Sequence, residues 1–487
     1  VAALGCSANG NGDTKPTGGE KSASSNGALP SGPEAIPVNP VKFEQRKPER
    51  WELPNGLIVH YIYDAELPRV KGTMILPGGA LYDPPEEIGE FQVMGEQLRE
   101  GSIRGMSPQQ LDKTLDDMAA SIESSYGNET GMVSFGCLAE DFDKIFSLFG
   151  KVVREPAFDE SRLSLTKKLA IEKIAQRRDD PETISGIAFA NLIYGANSPY
   201  GRVATKETIN RITRARIKDL YSKWVRPTGS HLIIVGAISR DEIEKAIKDK
   251  FGDWPAVREP IPEVPAVDTT VRRGIYVVER DFDQASVAIG HLGPPRIPED
   301  IYEMSIYNRV FGTGGFGSML FNEIRTKLGL AYDVGGGLAP SVGLGTFQVA
   351  MGTRATEVDK AILRAVEIIK QTKAELPDDE RFSEAKSSVE RSFIFRFDSA
   401  HEVANRAATL ELFKYPADYD ATYLERVGEV TKERVRAVGL KWVKPEDLVV
   451  VIVGKVSADK LKEQLKPLGL PVYRVKFDDV PTVTGEL

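Results

Sequence analysis

The stretch that decides the fold of this 487-residue chain is Lys223-Trp224-Val225-Arg226-Pro227, because the sequence contains it twice. It returns 218 residues later as Lys441-Trp442-Val443-Lys444-Pro445. At the same offset, Ile234-Val235-Gly236 returns as Ile452-Val453-Gly454. A constant register across separated blocks indicates an internal duplication, so the sequence predicts two copies of one module.

Both copies show the same order of predicted elements. Each closes with a helix, the Trp-Pro turn, an apolar strand and a short charged helix. Each opens with two strands that we expect to pair with each other, Gly56–Tyr63 with Arg69–Leu76 and Gly274–Glu279 with Gln284–Gly290. Long helical patterns lie between them without regular strand–helix alternation. This predicts an α+β fold in which each of two homologous modules is an antiparallel-rich sheet with helices packed on one side.

Composition sets the expected domain boundaries. Residues 1–42 are rich in Gly, Ser, Pro and Asn, which predicts a flexible tether. Residues 257–269 contain three prolines and predict a semi-rigid linker. We therefore expect a first module at 43–256, a second module at 270–475 and a tail at 476–487.

Charge and hydropathy exclude two classes of protein. The formal net charge is −8 with both signs mixed along the chain, unlike the basic stripe of a nucleic-acid-binding protein. No apolar run approaches the roughly 20 residues of a membrane span. The first residues, Val1-Ala2-Ala3-Leu4-Gly5-Cys6-Ser7, resemble the junction at which a bacterial lipoprotein signal is cut and its cysteine lipidated. We expect Cys6 to anchor the protein to a membrane in the bacterial periplasm; the alternative is an incidental cysteine.

Several segments carry a resemblance to a known family. They are Leu53-Pro54-Asn55-Gly56-Leu57, Pro77-Gly78-Gly79, Ser198-Pro199-Tyr200-Gly201-Arg202, and the run from Glu323 to Tyr332 with its Gly-Leu-Ala-Tyr ending. In this order they resemble the insulinase/pitrilysin family of zinc peptidases. The similarity is to the short two-domain branch that includes the mitochondrial processing peptidase and bacterial two-subunit relatives.

The resemblance implies a zinc site that this chain has lost. Active members carry H-x-x-E-H on the first long helix, with two histidine ligands and a glutamate base. Aligned on the leading glycine, Gln92 and Glu96 occupy the histidine positions and Gly95 that of the base. The later glutamate ligand falls at Lys173, although a slip of one residue would select Glu172 instead. The resemblance thus implies a non-catalytic member.

The histidine count supports this interpretation without the family. The chain has four histidines, His60, His231, His291 and His401, and no two lie close in sequence. No helix can therefore offer two imidazoles one turn apart, and Gly95 has no side chain to accept a proton. We predict no metal and no cofactor in this chain, and no hydrolysis by the chain alone.

Two features of the second module predict substrate binding. In relatives, residues matching Arg325 and Tyr332 reach across to the zinc-bearing module and donate hydrogen bonds to substrate, which suits a carbonyl oxygen that gains charge. A surface arginine and a core tyrosine would be the structural alternative. Gly312, Gly314, Gly315 and Gly317 form a glycine-rich loop. In processing-peptidase relatives such a loop belongs to the non-catalytic subunit and contacts substrate; a plain helix-connecting turn is the alternative.

This glycine loop is not a nucleotide site, because it follows a helical pattern and lacks the Lys-Ser/Thr pair. A hairpin formed by Ala120–Tyr126 and Met132–Leu138 offers a second peptide-binding element. In active relatives the corresponding strand pairs with the substrate backbone, whereas an ordinary edge hairpin is the alternative.

These observations predict the non-catalytic subunit of a two-subunit zinc metallopeptidase. It would contribute Arg325, Tyr332 and half of a peptide-enclosing chamber to a homologue that carries the zinc. The rival hypothesis is a membrane-tethered peptide-binding or scaffold protein of the bacterial envelope with no enzymatic role. A third is an independent zinc enzyme with an unrecognised site.

Overall fold

The first module contains a six-stranded sheet whose spatial strand order differs from the order in sequence. The structure, a computed structural model, describes residues 46–487 apart from Leu376; Cys6 and the predicted tether lie outside these residues. The strand order is β1-β2-β6-β3-β5-β4. The strands are β1 (Glu49–Glu52), β2 (Ile58–Tyr63), β3 (Arg69–Pro77), β4 (Ser121–Tyr126), β5 (Thr130–Leu138) and β6 (His231–Gly236).

The second sheet repeats this arrangement and adds two strands at one edge. Its order is β13-β12-β7-β11-β8-β10-β9. The strands are β7 (Gly274–Glu279), β8 (Gln284–Leu292), β9 (Ala331–Ala339), β10 (Thr346–Arg354), β11 (Val449–Gly454), β12 (Val472–Phe477) and β13 (Pro481–Glu486). Residues 476–487, expected to be a tail, thus end β12 and form an edge strand.

The strand order corrects one prediction. The two opening strands of each copy do not pair with each other, because the closing strand of the repeat lies between them. In the first sheet β6 pairs parallel with β2 and antiparallel with β3. In the second sheet β11 makes the same two pairings with β7 and β8. The apolar closing strands are therefore central, and every residue of both is buried.

Helices account for most of the remaining chain in both modules. In the first module they are α1 (Glu90–Glu100), α2 (Pro108–Asp117), α3 (Phe142–Arg154), α4 (Glu160–Gln176), α5 (Pro181–Tyr194), α6 (Lys206–Arg211), α7 (Arg214–Trp224) and α8 (Arg240–Phe251). In the second they are α9 (Ile301–Asn308), α10 (Val358–Ala374), α11 (Asp379–Ser392), α12 (Ala400–Leu412), α13 (Tyr419–Gly428), α14 (Lys432–Trp442) and α15 (Ala458–Gln464). None of the described helices is both long and apolar enough to cross a bilayer.

The modules exchange one helix each. On one face of each sheet lies the main core of its own module, with α1 and α3 in the first and α9 and α10 in the second. The opposite face of the first sheet is covered by α12, through Val403, Ala404 and Ala408. The opposite face of the second sheet is covered by α5, with Phe189 fully packed. Residues 44–487 consequently form one compact unit.

The proline-rich linker runs without helix or strand along the first module. Its backbone carbonyls accept hydrogen bonds from two tyrosine hydroxyls, Tyr82 to Pro262 at 3.1 Å and Tyr200 to Pro265 at 2.8 Å. Arg226 donates to the carbonyl of Glu259 at 2.8 Å. These contacts hold the connection between the modules against the surface of the first.

Candidate functional site

Helix α1 keeps an intact core face, while its other face carries the positions that the family resemblance aligns with histidine ligands. Phe91, Met94 and Leu98 are fully buried at helical spacing. On the outer face the Gln92 amide nitrogen donates to the Glu96 carboxylate at 3.3 Å. These two positions therefore lie one turn apart, as histidine ligands would, but they satisfy each other.

The position expected for a further metal ligand lies beside the same helix face. Gln92 and Lys173 line one cleft, and Arg177 from the turn after α4 lines it too. Glu172, the alternative, is exposed and lies 3.9 Å from Lys168 on its own helix. Two cationic side chains around the cleft oppose a bound cation, so the cleft does not fit a zinc ion.

Gly95 is fixed as glycine by a close approach of backbone. A Cβ atom at this position would lie 2.5 Å from the Tyr126 nitrogen and 2.8 Å from the Ser125 carbonyl carbon of β4. The Ser124 hydroxyl also donates to the Gly95 carbonyl at 2.6 Å. The strand thus occupies the space a glutamate base would need. Together with the cationic cleft, this means that the residues present do not hold the zinc of active relatives.

Two buried carboxyl groups lie at the start of α1. The Asp83 carboxylate accepts hydrogen bonds from the backbone nitrogens of Gly89, at 2.7 Å, and Phe91, at 3.0 Å, which caps the helix. Burial raises the pKa of Asp83 to about 6 despite these bonds. Burial, together with the nearby Asp83, raises the pKa of Glu90 to about 7. At the start of α1, burial therefore disfavours the ionised form of both carboxyl groups.

Arg325 and Tyr332 meet on the surface of the second module. Arg325 lies in a π-helical segment, Phe321–Lys327, and Tyr332 is the second residue of β9. The Arg325 guanidinium carbon lies 5.3 Å from the Tyr332 ring centroid and 4.6 Å from that of Phe321. Tyr332 is 76% exposed, so it is not the core tyrosine of the structural alternative.

The glycine-rich loop lies next to this pair. Gly312 is buried where a Cβ atom would lie 2.5 Å from the Gly336 carbonyl oxygen of β9, so only glycine fits. Gly314 precedes Gly315, which has φ +58°, and Gly315 and Gly317 flank the 73% exposed Phe316. The Phe316 ring packs edge-on against Phe321 at 4.6 Å. Loop, arginine and tyrosine thus form one continuous exposed surface, termed here the Arg–Tyr surface.

The Arg–Tyr surface and the outer face of α1 are separate in the chain. Among the described residues, no hydrogen bond or ion pair joins α1 to the segment from Arg309 to Tyr332. Each lies on the side of its sheet opposite to the exchanged helix. Polar contacts of the described residues therefore do not join the Arg–Tyr surface to this face of α1.

The predicted hairpin forms, and its first strand lies at the sheet edge. β4 pairs only with β5, from Ser121 opposite Gly136 to Tyr126 opposite Gly131. Its turn is tied to the second module, since the Glu129 carboxylate pairs with Arg296. The edge of β4 offers backbone groups for strand addition.

A cluster that sequence reasoning missed lies at the contact between modules. His60 from β2, His231 from β6 and Glu411 from α12 bring three potential ligand atoms within 4.8 Å of one another. The His60 Nε2 and His231 Nδ1 atoms are 3.1 Å apart. No sequence spacing signals this pair; the signal was the order of strands, because β6 had to be placed beside β2.

Burial governs the charge of this cluster. Both imidazoles are at most 3% exposed. Burial, helped by the neighbouring His231, lowers the pKa of His60 to about 4, and burial also lowers the pKa of His231. Burial alone would raise the pKa of Glu411, but the hydrogen bond and charge of Arg50 and the two nearby histidines together outweigh burial, so the net pKa is lowered. The cluster at neutral pH is two neutral imidazoles beside a carboxylate.

The sequence of this chain is similar to that of known proteins. The sequence pattern of the peptidase M16 inactive domain matches residues 211–389. A protein from Streptomyces coelicolor named an uncharacterized zinc protease is 28% identical over 300 residues, which cover 60% of this chain. That stretch spans 63% of the Streptomyces protein's own length.

Two solved structures share the fold. A peptidase M16 inactive domain from Pseudomonas fluorescens has a TM-score of 0.74 at 21% identity, over 84% of this chain and 98% of that chain. The periplasmic protease PqqL from Escherichia coli has a TM-score of 0.71 at 14% identity, over 86% of this chain and 47% of that chain. The predicted family resemblance and fold class are confirmed. The substrate-binding assignments stay predictions.

Proposed function

We propose that this chain, a member of the insulinase-type peptidase family that carries an M16 inactive domain, is the non-catalytic subunit of a two-subunit zinc metallopeptidase. Its partner is a homologue that bears the zinc. The chain supplies Arg325, Tyr332 and half of a chamber that encloses the peptide. Peptides are cut at the partner's metal.

One observation carries this proposal: the pairing of a closed zinc position with an exposed Arg–Tyr surface. Gly95 has no room for a catalytic side chain, whereas Tyr332 is 76% exposed beside Arg325. Exposed apolar patches commonly mark binding sites, and an arginine packed against such a patch can donate strong hydrogen bonds to a ligand. Because no polar contact joins the surface to α1 within the described residues, the proposal assigns the zinc-bearing helix to a second polypeptide.

The two side chains have a defined task in this proposal. A peptide carbonyl oxygen gains negative charge when water attacks its carbon, and fixed donors stabilise that charge. The Arg325 guanidinium and the Tyr332 hydroxyl can each donate to an oxygen in front of the surface. The glycine loop beside them lets a peptide approach closely, since Gly314, Gly315 and Gly317 present no side chains.

Mixing experiments test the proposal. The full chain and a zinc-bearing homologue from the same genome are purified separately and combined with a fluorogenic peptide. We expect cleavage only in the mixture. Arg325→Ala and Tyr332→Ala should each lower kcat by roughly 100-fold, the effect of removing one donor to a developing oxyanion.

Lys327→Ala is the matched control, because Lys327 is exposed in the same segment and pairs with Glu323 at 2.6 Å. It should leave kcat within about twofold of the wild-type mixture. An inactive mixture, or unchanged rates in both Arg325 and Tyr332 variants, would reject the proposal. The chain would then be a peptide-binding or scaffold protein without an enzymatic role.

The proposed location is the bacterial periplasm, with a lipid on Cys6. It is supported by the Gly-Cys junction of the sequence and by the shared fold with PqqL, a periplasmic protease. Cys6→Ser should move the protein from the membrane fraction to the soluble fraction of expressing cells. An unchanged distribution would contradict the lipid anchor.

A further inference from the structure

Three of the four histidines gather where α12 covers the first sheet. His60 and His231 lie on the face of the sheet that α12 covers. Residues two apart in a strand share a face, and His60 is two residues from Ile62, as His231 is from Ile233, both of which pack in that contact. His401 lies on α12 itself and contacts the Thr73 hydroxyl at 3.2 Å. Histidines are rare in this chain, so their concentration at one contact calls for a physical account.

The separations of the donor atoms fit a metal ion. Two donors on a tetrahedral zinc ion lie roughly 3.4 Å apart, since each is about 2.1 Å from the metal. Here His60 Nε2 lies 3.1 Å from His231 Nδ1 and 3.6 Å from Glu411 Oε2. Both separations lie close to this tetrahedral value.

Both nitrogens can also present a lone pair to an ion. Imidazole binds metal through an unprotonated ring nitrogen. The nitrogens now in contact both become acceptors when each ring carries its proton on the other nitrogen. The shift of tautomer releases no proton.

Arg50 acts as the outer partner of the carboxylate. Its Nη2 donates to Glu411 Oε1 at 2.7 Å, and its Nε donates to both carboxylate oxygens at 3.1 Å; Oε2 is the oxygen nearer to His60. Ligating carboxylates are commonly held by such a second hydrogen bond, which orients them. The Glu411 side chain is 34% exposed, so an ion can reach the buried imidazoles from this side.

We propose that His60, His231 and Glu411 form a site for a divalent transition cation of the zinc type that joins the two modules. Two ligands come from the first sheet and one from the exchanged helix of the second module. Water completes the coordination. The ion would fasten α12 to the sheet and so stabilise the contact between modules. The site lies on the opposite face of the sheet from α1, so it is independent of the vacated zinc position and of the proposed pairing with a partner.

Zinc(II) itself is the probe. The full chain is stripped with a chelator, incubated with zinc and freed of excess by gel filtration, after which zinc is measured by elemental analysis. We expect one zinc per chain and a higher Tm with zinc, because a ligand of the folded state stabilises it. Hydrogen exchange in α12 should slow when zinc is added.

Variants separate this site from other zinc-binding groups. His231→Gln and Glu411→Gln should each weaken zinc binding by more than about 10-fold in a competition with a chromogenic chelator, since loss of a ligand costs at least as much as loss of its outer partner. Glu411→Gln is nearly isosteric and partly exposed, so circular dichroism should show it folded. His401→Gln is the matched control at the same contact, outside the ligand set, and should bind zinc as the wild type does.

The proposal fails if the wild-type chain retains no stoichiometric zinc. It fails equally if His231→Gln and Glu411→Gln retain as much zinc as the wild type, or if His401→Gln loses it. In those cases the cluster is a buried hydrogen-bonded pair that positions α12. Inactivity of the mixture with a zinc-bearing homologue would leave this result untouched, since the measurement needs no partner.

Discussion

Replacing Gly95 with alanine tests the claim that the position of the catalytic base is physically closed. In an unobstructed helix interior, glycine to alanine stabilises by roughly 0.5–1 kcal/mol because alanine loses less backbone entropy on folding. At Gly95 the new methyl carbon would instead lie 2.5 Å from the Tyr126 nitrogen. The atom it meets is backbone in a paired strand, so α1 and β4 have to separate.

The expected size follows from these two effects. Forcing extra volume into a packed site costs about 1–3 kcal/mol, and a clash with backbone belongs at the upper end. After subtraction of the helix gain, Gly95→Ala should destabilise by about 2 kcal/mol. For a cooperative unit of roughly 440 residues this lowers Tm by about 2 °C, because the entropy of unfolding grows with the size of the unit.

Gly186→Ala is the matched control. Gly186 also lies inside a helix, α5, but a Cβ atom there meets nothing within 4 Å. It should raise Tm by about 0.5–1 °C, corresponding to a gain of roughly 0.5–1 kcal/mol. Thermal unfolding followed by circular dichroism gives both values. If Gly95→Ala is as stable as Gly186→Ala, the reasoning about the closed position is wrong.

Two further predictions concern the start of α1 and the exchanged helix. Because the folded-state pKa of Glu90 is raised to about 7, its stabilising contribution is complete below the unfolded pKa near 4.5 and is lost as the pH rises through 7. Tm should therefore fall between pH 5 and 8. Glu90→Gln should remove about 2–3 kcal/mol of this pH-dependent change in unfolding free energy, whereas Glu172→Gln, at an exposed position, should leave it unchanged. Phe189→Ala in α5 should cost about 3–5 kcal/mol, since Phe189 is 3% exposed against the second sheet, whereas Phe395→Ala, at a residue that is 74% exposed, should change Tm little.

The sequence predicted local elements well because each is specified by its own residues. Helix α8 is the short charged helix predicted to close the first copy. It runs over Arg240–Phe251, since Ser239 and Glu242 form a capping box at its start and apolar residues repeat along one face. Strand β7 also has its predicted bounds, Gly274–Glu279. The duplication at an offset of 218 residues places β6 and β11 at equivalent positions in the two sheets.

Pairing between distant strands escaped the sequence because nothing local specifies it. Strands next to each other in sequence were expected to pair, whereas β6 enters between β2 and β3 from about 170 residues away. The sequence also could not predict the exchange of α5 and α12, because an apolar helix face indicates burial but not which sheet the helix covers. Both are long-range packing choices of the whole chain.

The same wrong pairing hid the histidine cluster. With β2 beside β3, His60 and His231 would belong to strands two places apart and could not touch. With β6 inserted, Ile58 is opposite His231 in a parallel register, which puts both imidazoles on one face. The third member, Glu411, then depends on the exchange of α12. The prediction of no metal in the chain rested on the spacing of ligands along one helix, so the argument applies to a site on a single helix such as α1. It does not reach a site assembled from two strands and a helix of the other module, where fold topology rather than a motif brings the ligands together.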